Sequence, residues 1–397
     1  MHNKTRIVLA AVMLAAIIHP VACLSAVQAW TLWEQALTST KPHPDSDNEV
    51  TLRVTYSGPN QERIAGLGFW DGDHTFKIRC LFPKPGTWTW KTECSDAEDP
   101  GLHHRSGTVE VELYSGSNPL YRHGYLRVSS NRHYLEHTDT TPFLWVGDTA
   151  WAAPMNARME DWRTYVRDRH DKRFTGLQVF TASDWAGTQE TEGHPPFLGE
   201  GLARPNPAYW QQYERKIQLA NDEGLVVLIV GLMEPVKRYP DAASAQRFAR
   251  HLVARLMGNF VIFSPSFDSP YMELGDGVGQ VVRQSSALHL ITQHPGNDLP
   301  AASQRYHPKP YLDGHEALGG VFRRIGLVAA GTPPRADSEP ARRLDEADGA
   351  GEVRQRGFGR GVPAEQCHDH RRDVRVQRAC GVALVQSRDR AIAGRTG

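Results

Sequence analysis

From Tyr121 to Asp313 the chain repeats one pattern: an apolar run of strand length, then a polar-faced run of helix length. FLWVGDTAW (143–151) precedes MEDWRTYVRDRHDK (159–172), and GLQVFTASDW (176–185) precedes PAYWQQYERKIQLANDEG (207–224). LVVLIVGLMEP (225–235) leads into DAASAQRFARHLVARLMG (241–258), and NFVIFSPSFDSP (259–270) leads into VGQVVRQSSALH (278–289). A further apolar start, LITQHPGN (290–297), follows. Strands without polar alternation are buried on both faces, as in a parallel sheet covered by helices. The pattern predicts an α/β fold. A (β/α)8-type TIM barrel fits best, because acidic, aromatic and amide residues gather just after the strands. A doubly wound sheet is the other candidate, but no Gly-rich phosphate loop supports it. The repeats stop near Asp313, which leaves the expected barrel incomplete.

The segment before the repeats has a different period. TLRVTYSG (51–58), IAGLGFWDGD (64–73), FKIRCLF (76–82), TWTWKTEC (87–94) and GTVEVELY (107–114) are short alternating runs separated by Gly-Pro, Asp-Gly and Lys-Pro-Gly turns. This spacing predicts a small antiparallel sandwich over residues 30–117. Trp70, Trp88 and Trp90 read as packing residues there before they read as ligand contacts. Cys80 and Cys94 flank what reads as a hairpin, and in an oxidising compartment they could pair. No Cys/His spacing in the chain suggests a zinc site.

With 397 residues the chain is long enough for about two or three domains. Its formal net charge is zero, which removes the electrostatic case for a nucleic-acid or anionic-membrane partner. Residues 1–29 read as a signal peptide: Lys4 and Arg6, a short apolar core over 7–18, and a small residue at Ala29 for cleavage. That core is short for a membrane span, so a secreted or periplasmic mature protein is expected. After Asp313 the texture breaks. Residues 314–397 contain no Lys, Trp or Tyr, and arginines crowd together as at Arg342-Arg343 and Arg371-Arg372. A segment so poor in apolar anchors cannot offset its ordering entropy. It reads either as a natural disordered tail or, the reading we favour, as translation in a shifted frame.

The strand ends hold the candidate chemistry. The first offers Asp148 and Trp151, the second Asp184 and Trp185 with Glu190 and His194 beyond, the third Glu234, the fourth Asp268, and the fifth His294. Carboxylates, indoles and amides on one face suit a carbohydrate, because aromatic faces stack on sugar C–H surfaces while acids and amides hold hydroxyls. Glycoside cleavage needs two carboxyl groups in most enzymes, one to protonate the leaving oxygen and one to attack or to activate water. Each residue also has a plainer role. Asp148 could cap or buttress a loop, Asp184 could cap a helix, Glu234 precedes a proline, and His294 could be a turn residue. Asp268 stands apart, because aspartate is a poor strand former and prolines flank it on both sides.

GLGFWDGDHTFKIRCLFPKPGTWTWKTE, FLWVGDTAW and FTGLQVF occur in order and together resemble the apiosidase-like glycoside hydrolases, over about residues 30–313. That resemblance implies a (β/α)8 catalytic domain behind a β-sandwich. It also implies hydrolysis of plant-type glycosides, such as pectic side chains, with retention and no cofactor. VIFSPSFD aligns with the strand that ends on the family's proton donor, which places Asp268 in that role. Phe263 and Ser266-Phe267 depart from the family's Trp and paired glycines. The family's nucleophile is a Glu on a later strand, and no segment here resembles that strand. The nucleophile is therefore unassigned, and the resemblance is compatible with an inactive chain. The alternative is a non-catalytic carbohydrate-binding protein.

Overall fold

The computed structural model describes residues 26–43, 50–182, 190–199, 204–230, 242–265, 272–286, 288–292, 313, 316–317 and 321–322; the side chains of 272–275 and of the last two pairs lie outside the description. Seven strands form the N-terminal sheet: β1 (Val27–Gln28), β2 (Leu32–Thr38), β3 (Leu52–Ser57), β4 (Arg63–Trp70), β5 (Thr75–Leu81), β6 (Gly86–Cys94) and β7 (Ser106–Glu112). Their order is β1-β7-β6-β3-β4-β5-β2. The five alternating runs all became strands because each buries one face, as in β6, where Trp88, Trp90, Thr92 and Cys94 point inward. β4 serves two partners in turn. Residues 63–67 pair with β3, and Gly68–Trp70 pair with β5, so the sheet bends at Gly68. A Cβ on Gly68 would stand 2.4 Å from Leu52 Cδ2, which is why glycine occupies the bend. The two arms enclose Trp33, Tyr56, Phe82 and Trp88, whose rings meet at centroid distances of 5.1–6.0 Å.

One expectation fails here. β5 and β6 are not a hairpin: β5 pairs with β2 and β4, and β6 pairs with β3 and β7. Cys80 and Cys94 therefore stand on different arms and remain free, buried thiols. Burial pushes both thiols up, so they stay protonated at neutral pH. Separately, β1 pairs with β7, and the Ala29 N–H donates to the Glu112 carbonyl at 2.7 Å. A cut after Ala29 would remove β1.

A short helix α1 (Pro119–His123) and a three-stranded sheet, β8 (Leu126–Val128), β9 (Leu135–His137) and β10 (Pro142–Phe143), link the two parts. Beyond them four parallel strands lie side by side in chain order: β11 (Gly147–Thr149), β12 (Gly176–Phe180), β13 (Val226–Val230) and β14 (Val261–Ser264). Ile291 continues the series by a parallel bridge to Phe263. This one-directional order is that of a TIM barrel; a doubly wound sheet reverses its order at a switch point. Every residue of β12, β13 and β14 is buried, as their unbroken apolar runs predict. Gly147 and Gly176 pair across the first two strands, and the Trp145 ring fills the space their missing side chains leave.

Helices cover the sheet: α2 (Ala153–Asn156), α3 (Met159–Asp171), α4 (Pro207–Asp222), α5 (Ala242–Leu256) and α6 (Met272–Ser285). Asn206 caps α4 by accepting from the Ala208 N–H. α6 begins ahead of the expected residue 278. The N-terminal sheet docks on α4 and α5 through a closed ring of charges. Glu34 contacts Arg79 at 2.6 Å, Arg79 contacts Glu214 at 2.8 Å, and Glu214 contacts Arg255 at 3.0 Å. Arg255 then meets Asp71 at 2.6 Å, Asp71 meets Lys77 at 2.8 Å, and Lys77 returns to Glu34 at 3.1 Å. Three acids balance three bases, so no net charge is buried. Phe69 lies against both guanidinium groups, with Arg79 4.8 Å and Arg255 4.5 Å from its ring centre.

Candidate active site

Because the four strands run the same way, the segments leaving their C-terminal ends start from one rim. Those segments carry Trp151, Asp184, Trp185, Glu190, His194, Glu234 and Asp268, while Asp148 lies within β11 itself and His294 follows Ile291. Asp184, Trp185, Glu234, Asp268 and His294 lie outside the described residues, shortly after β12, β13, β14 and Ile291. Asp148, Trp151, Glu190 and His194 are described.

Asp148 is fully buried on β11. Its Oδ2 accepts from the Tyr165 hydroxyl at 2.9 Å and from Arg169 Nη1 at 2.5 Å, both on α3, and its Oδ1 accepts from the Thr149 N–H. The carboxylate thus joins the first strand to the first covering helix, which matches its buttressing reading better than contact with a substrate. Trp151 is different. It is half-buried, and its ring stacks on Phe180 at 4.7 Å with an interplanar angle of 25°. The Phe180 N–H donates to the Trp151 carbonyl at 2.8 Å, so the two aromatic residues are held where the first two strands end.

The tip of β12 is braced from α4. Tyr213 donates its hydroxyl to the Phe180 carbonyl at 2.9 Å, and Tyr209 donates to the Thr181 carbonyl at 2.6 Å. Burial pushes both tyrosines up, which keeps these donors protonated. In the following loop, Glu190 accepts from the Glu192 N–H, the His194 N–H and His194 Nδ1, the last at 2.7 Å. Burial raises its carboxyl, but those bonds outweigh burial and hold it below the ordinary value. Glu190, Glu192 and His194 bring ligand-type atoms within 4.8 Å of one another. The oxygens of Glu190 are already engaged within the loop, so the cluster acts as a loop fastener. Among the described residues the rim thus offers the aromatic pair Trp151 and Phe180, while the carboxylates of Asp148 and Glu190 are engaged within the protein.

The sequence alone does not reveal the charge ring between the N-terminal sheet and α4 and α5. Its six members are spread from Glu34 to Arg255, and no local spacing links them. Arg79 shares strand parity with Lys77, opposite to Phe76, Ile78 and Cys80, so alternation alone reads it as facing solvent.

Comparison with known proteins fits this arrangement. Residues 129–320 match the apiosidase-like catalytic domain. That stretch is similar to the apiosidase-like family. Residues 26–95 match a domain of unknown function, DUF5060. Among solved structures, the chain is similar to a protein of Bacteroides vulgatus ATCC 8482 provisionally described as a glycoside hydrolase. The identity is 19%, the TM-score is 0.60, and the match covers 74% of this chain and 60% of that one. The chain thus spans less than two thirds of that relative, and the likeness concerns the fold. A glycoside hydrolase family 5 structure from the same organism matches at 20% identity and TM-score 0.44, covering 51% of this chain and 45% of that one. No curated protein shows significant similarity to the chain.

Proposed function

We propose that this chain is a glycosidase of the apiosidase-like type, acting on neutral plant glycosides of the pectic side-chain kind. The observation that carries the reading is the apiosidase-like stretch coinciding with parallel strands in barrel order. Asp268 is the general acid/base: its carboxyl group protonates the leaving oxygen and then takes a proton from the incoming water. Trp151 supplies a stacking face for the sugar, and Asp184, Trp185, Glu234 and His294 contact it from neighbouring strand ends. In a retaining mechanism a second carboxylate, about 5–5.5 Å from the first, attacks the anomeric carbon. The matched stretch ends at residue 320, and no Glu here stands in a segment resembling the family's nucleophile strand. Catalysis by this polypeptide is accordingly weak.

The test is sugar release from a panel of arabinan, galactan and apiose-containing glycosides by the purified full chain. Slow release that falls further in Asp268→Asn supports the reading. Release that Asp268→Asn leaves unchanged refutes the assignment of Asp268. Retained glycan binding with no release by either protein favours the non-catalytic carbohydrate-binding alternative.

A further inference from the structure

The folded N-terminal sheet leaves a cleft of about 840 Å³ where β2 faces β6 and β7. That size lies within the range of pockets that hold small organic ligands. Trp33 and Gln35 line it from β2, Trp90 from β6, and Thr108 and Glu110 from β7; Arg105 stands at the approach to β7. Trp33 is half-buried, with its ring packed on Tyr56 at 6.0 Å and Trp90 at 6.2 Å, so its position is fixed.

The indole N–H groups of these two differ from those of four other tryptophans. Trp70, Trp88, Trp162 and Trp210 each donate to a backbone carbonyl. Trp33 and Trp90 have no acceptor among the described residues, and neither N–H is sealed from solvent. Two donors are thus unspent at a cleft that also offers aromatic surface. Gly107 keeps Trp90 in place, since a Cβ there would stand 2.7 Å from the indole Nε1. The end wall is also fixed: Gly101 lines the cleft, and its N–H donates to the buried Asp99 carboxylate at 2.9 Å.

We propose that this cleft is a second saccharide-binding site, separate from the barrel rim, and that it takes a neutral oligosaccharide. Aromatic surface with donors and hydroxyls at its edge matches the amphipathic faces of a sugar. The charged lining residues are one arginine and one glutamate, Arg105 and Glu110, so the cleft has no excess positive charge to hold a polyuronate. The site would retain a polymeric substrate while the barrel works on it, and in that sense the inference rests on the proposed glycosidase function.

The experiment is calorimetric titration of the full chain with linear galactotetraose and, separately, with polygalacturonate. It is carried out in the Asp268→Asn background so that no cleavage interferes. We expect galactotetraose to bind and polygalacturonate not to bind. Trp33→Ala should weaken binding by ~tenfold or more. Because Trp33 also packs in the core, Thr108→Arg serves as the second variant: it crowds the mouth from an exposed position and should weaken binding similarly while leaving the melting temperature unchanged. Galactotetraose binding that survives Thr108→Arg, absence of such binding, or a preference for polygalacturonate would each overturn the proposal. Binding that depends on the cleft in a protein that hydrolyses nothing would sustain this site and count against the glycosidase reading.

Discussion

Asp148 shows what a strand-tip acid can do besides catalysis. Its charge is opposed by Arg169 on α3, and Tyr165 and the Thr149 N–H also donate to it. Removing one partner of a buried ion pair costs about 3–5 kcal/mol, and here Arg169 keeps Asp168 as a second partner. Asp148→Asn should therefore lower unfolding stability by an amount near the bottom of that range in a denaturant titration. Its effect on sugar binding should be small in the fraction that stays folded. Loss of binding with full stability would return Asp148 to the substrate. From sequence, Asp148 and Asp268 look alike, each an acid just after an apolar run. The partners of Asp148 are 17 and 21 residues away on the next helix, beyond what strand periodicity reports.

At the level of elements, the charge ring determines how the N-terminal sheet meets α4 and α5. Burial alone would raise Glu214, but Arg255 and Arg79 outweigh it and bring its carboxyl down to about 2. A folded-state value below the ordinary 4.5 means that the unfolded chain binds the proton more tightly. The stabilisation is thus fully present above about pH 4.5 and is lost as pH falls through about 2. Glu214→Gln should cost about 3–5 kcal/mol at pH 7 and flatten the stability profile below pH 4.5. Thermal melts across that range check both effects, and an unchanged acid limb would contradict the role given to the ring.

β1 leads to a second prediction at this scale. If the leader is cleaved, the cut falls before Val27, because Val27 and Gln28 pair with β7. N-terminal sequencing of exported protein should read Val27 or an earlier residue, and a start at Trp30 would contradict this. The elements themselves were mostly legible. Five N-terminal strands alternate clearly, and the barrel strands are apolar throughout. β2 was overlooked because Glu34, Gln35, Ala36 and Leu37 favour helix, and only pairing with β5 makes them a strand. The supposed β5–β6 hairpin failed for a related reason: alternation identifies strands but not their partners.

Over the whole molecule, a β-rich domain is fastened to a barrel whose first strands are present in order and whose expected nucleophile strand has no counterpart in the sequence. We propose that the chain after Asp313 is read in a shifted frame. Sequencing the coding DNA across that point should show that a one-base change restores a continuation containing Trp, Tyr and a strand-ending Glu. An open, uninterrupted alternative frame lacking such residues would contradict it. The central claim, that Asp268 is the acid half of a catalytic pair whose other half is missing, has a more direct chemical test. Azide can stand in for an absent carboxylate nucleophile, and a phenyl glycoside has a leaving group poor enough to need the proton. The decisive measurement is the rate of phenol release from a matched phenyl glycoside, with and without azide, by the chain and by Asp268→Asn. The account predicts that azide accelerates release by the chain and that Asp268→Asn reduces the accelerated rate by about 10²–10⁴-fold. An azide-accelerated rate that is the same in both proteins, or no release by either, would contradict it.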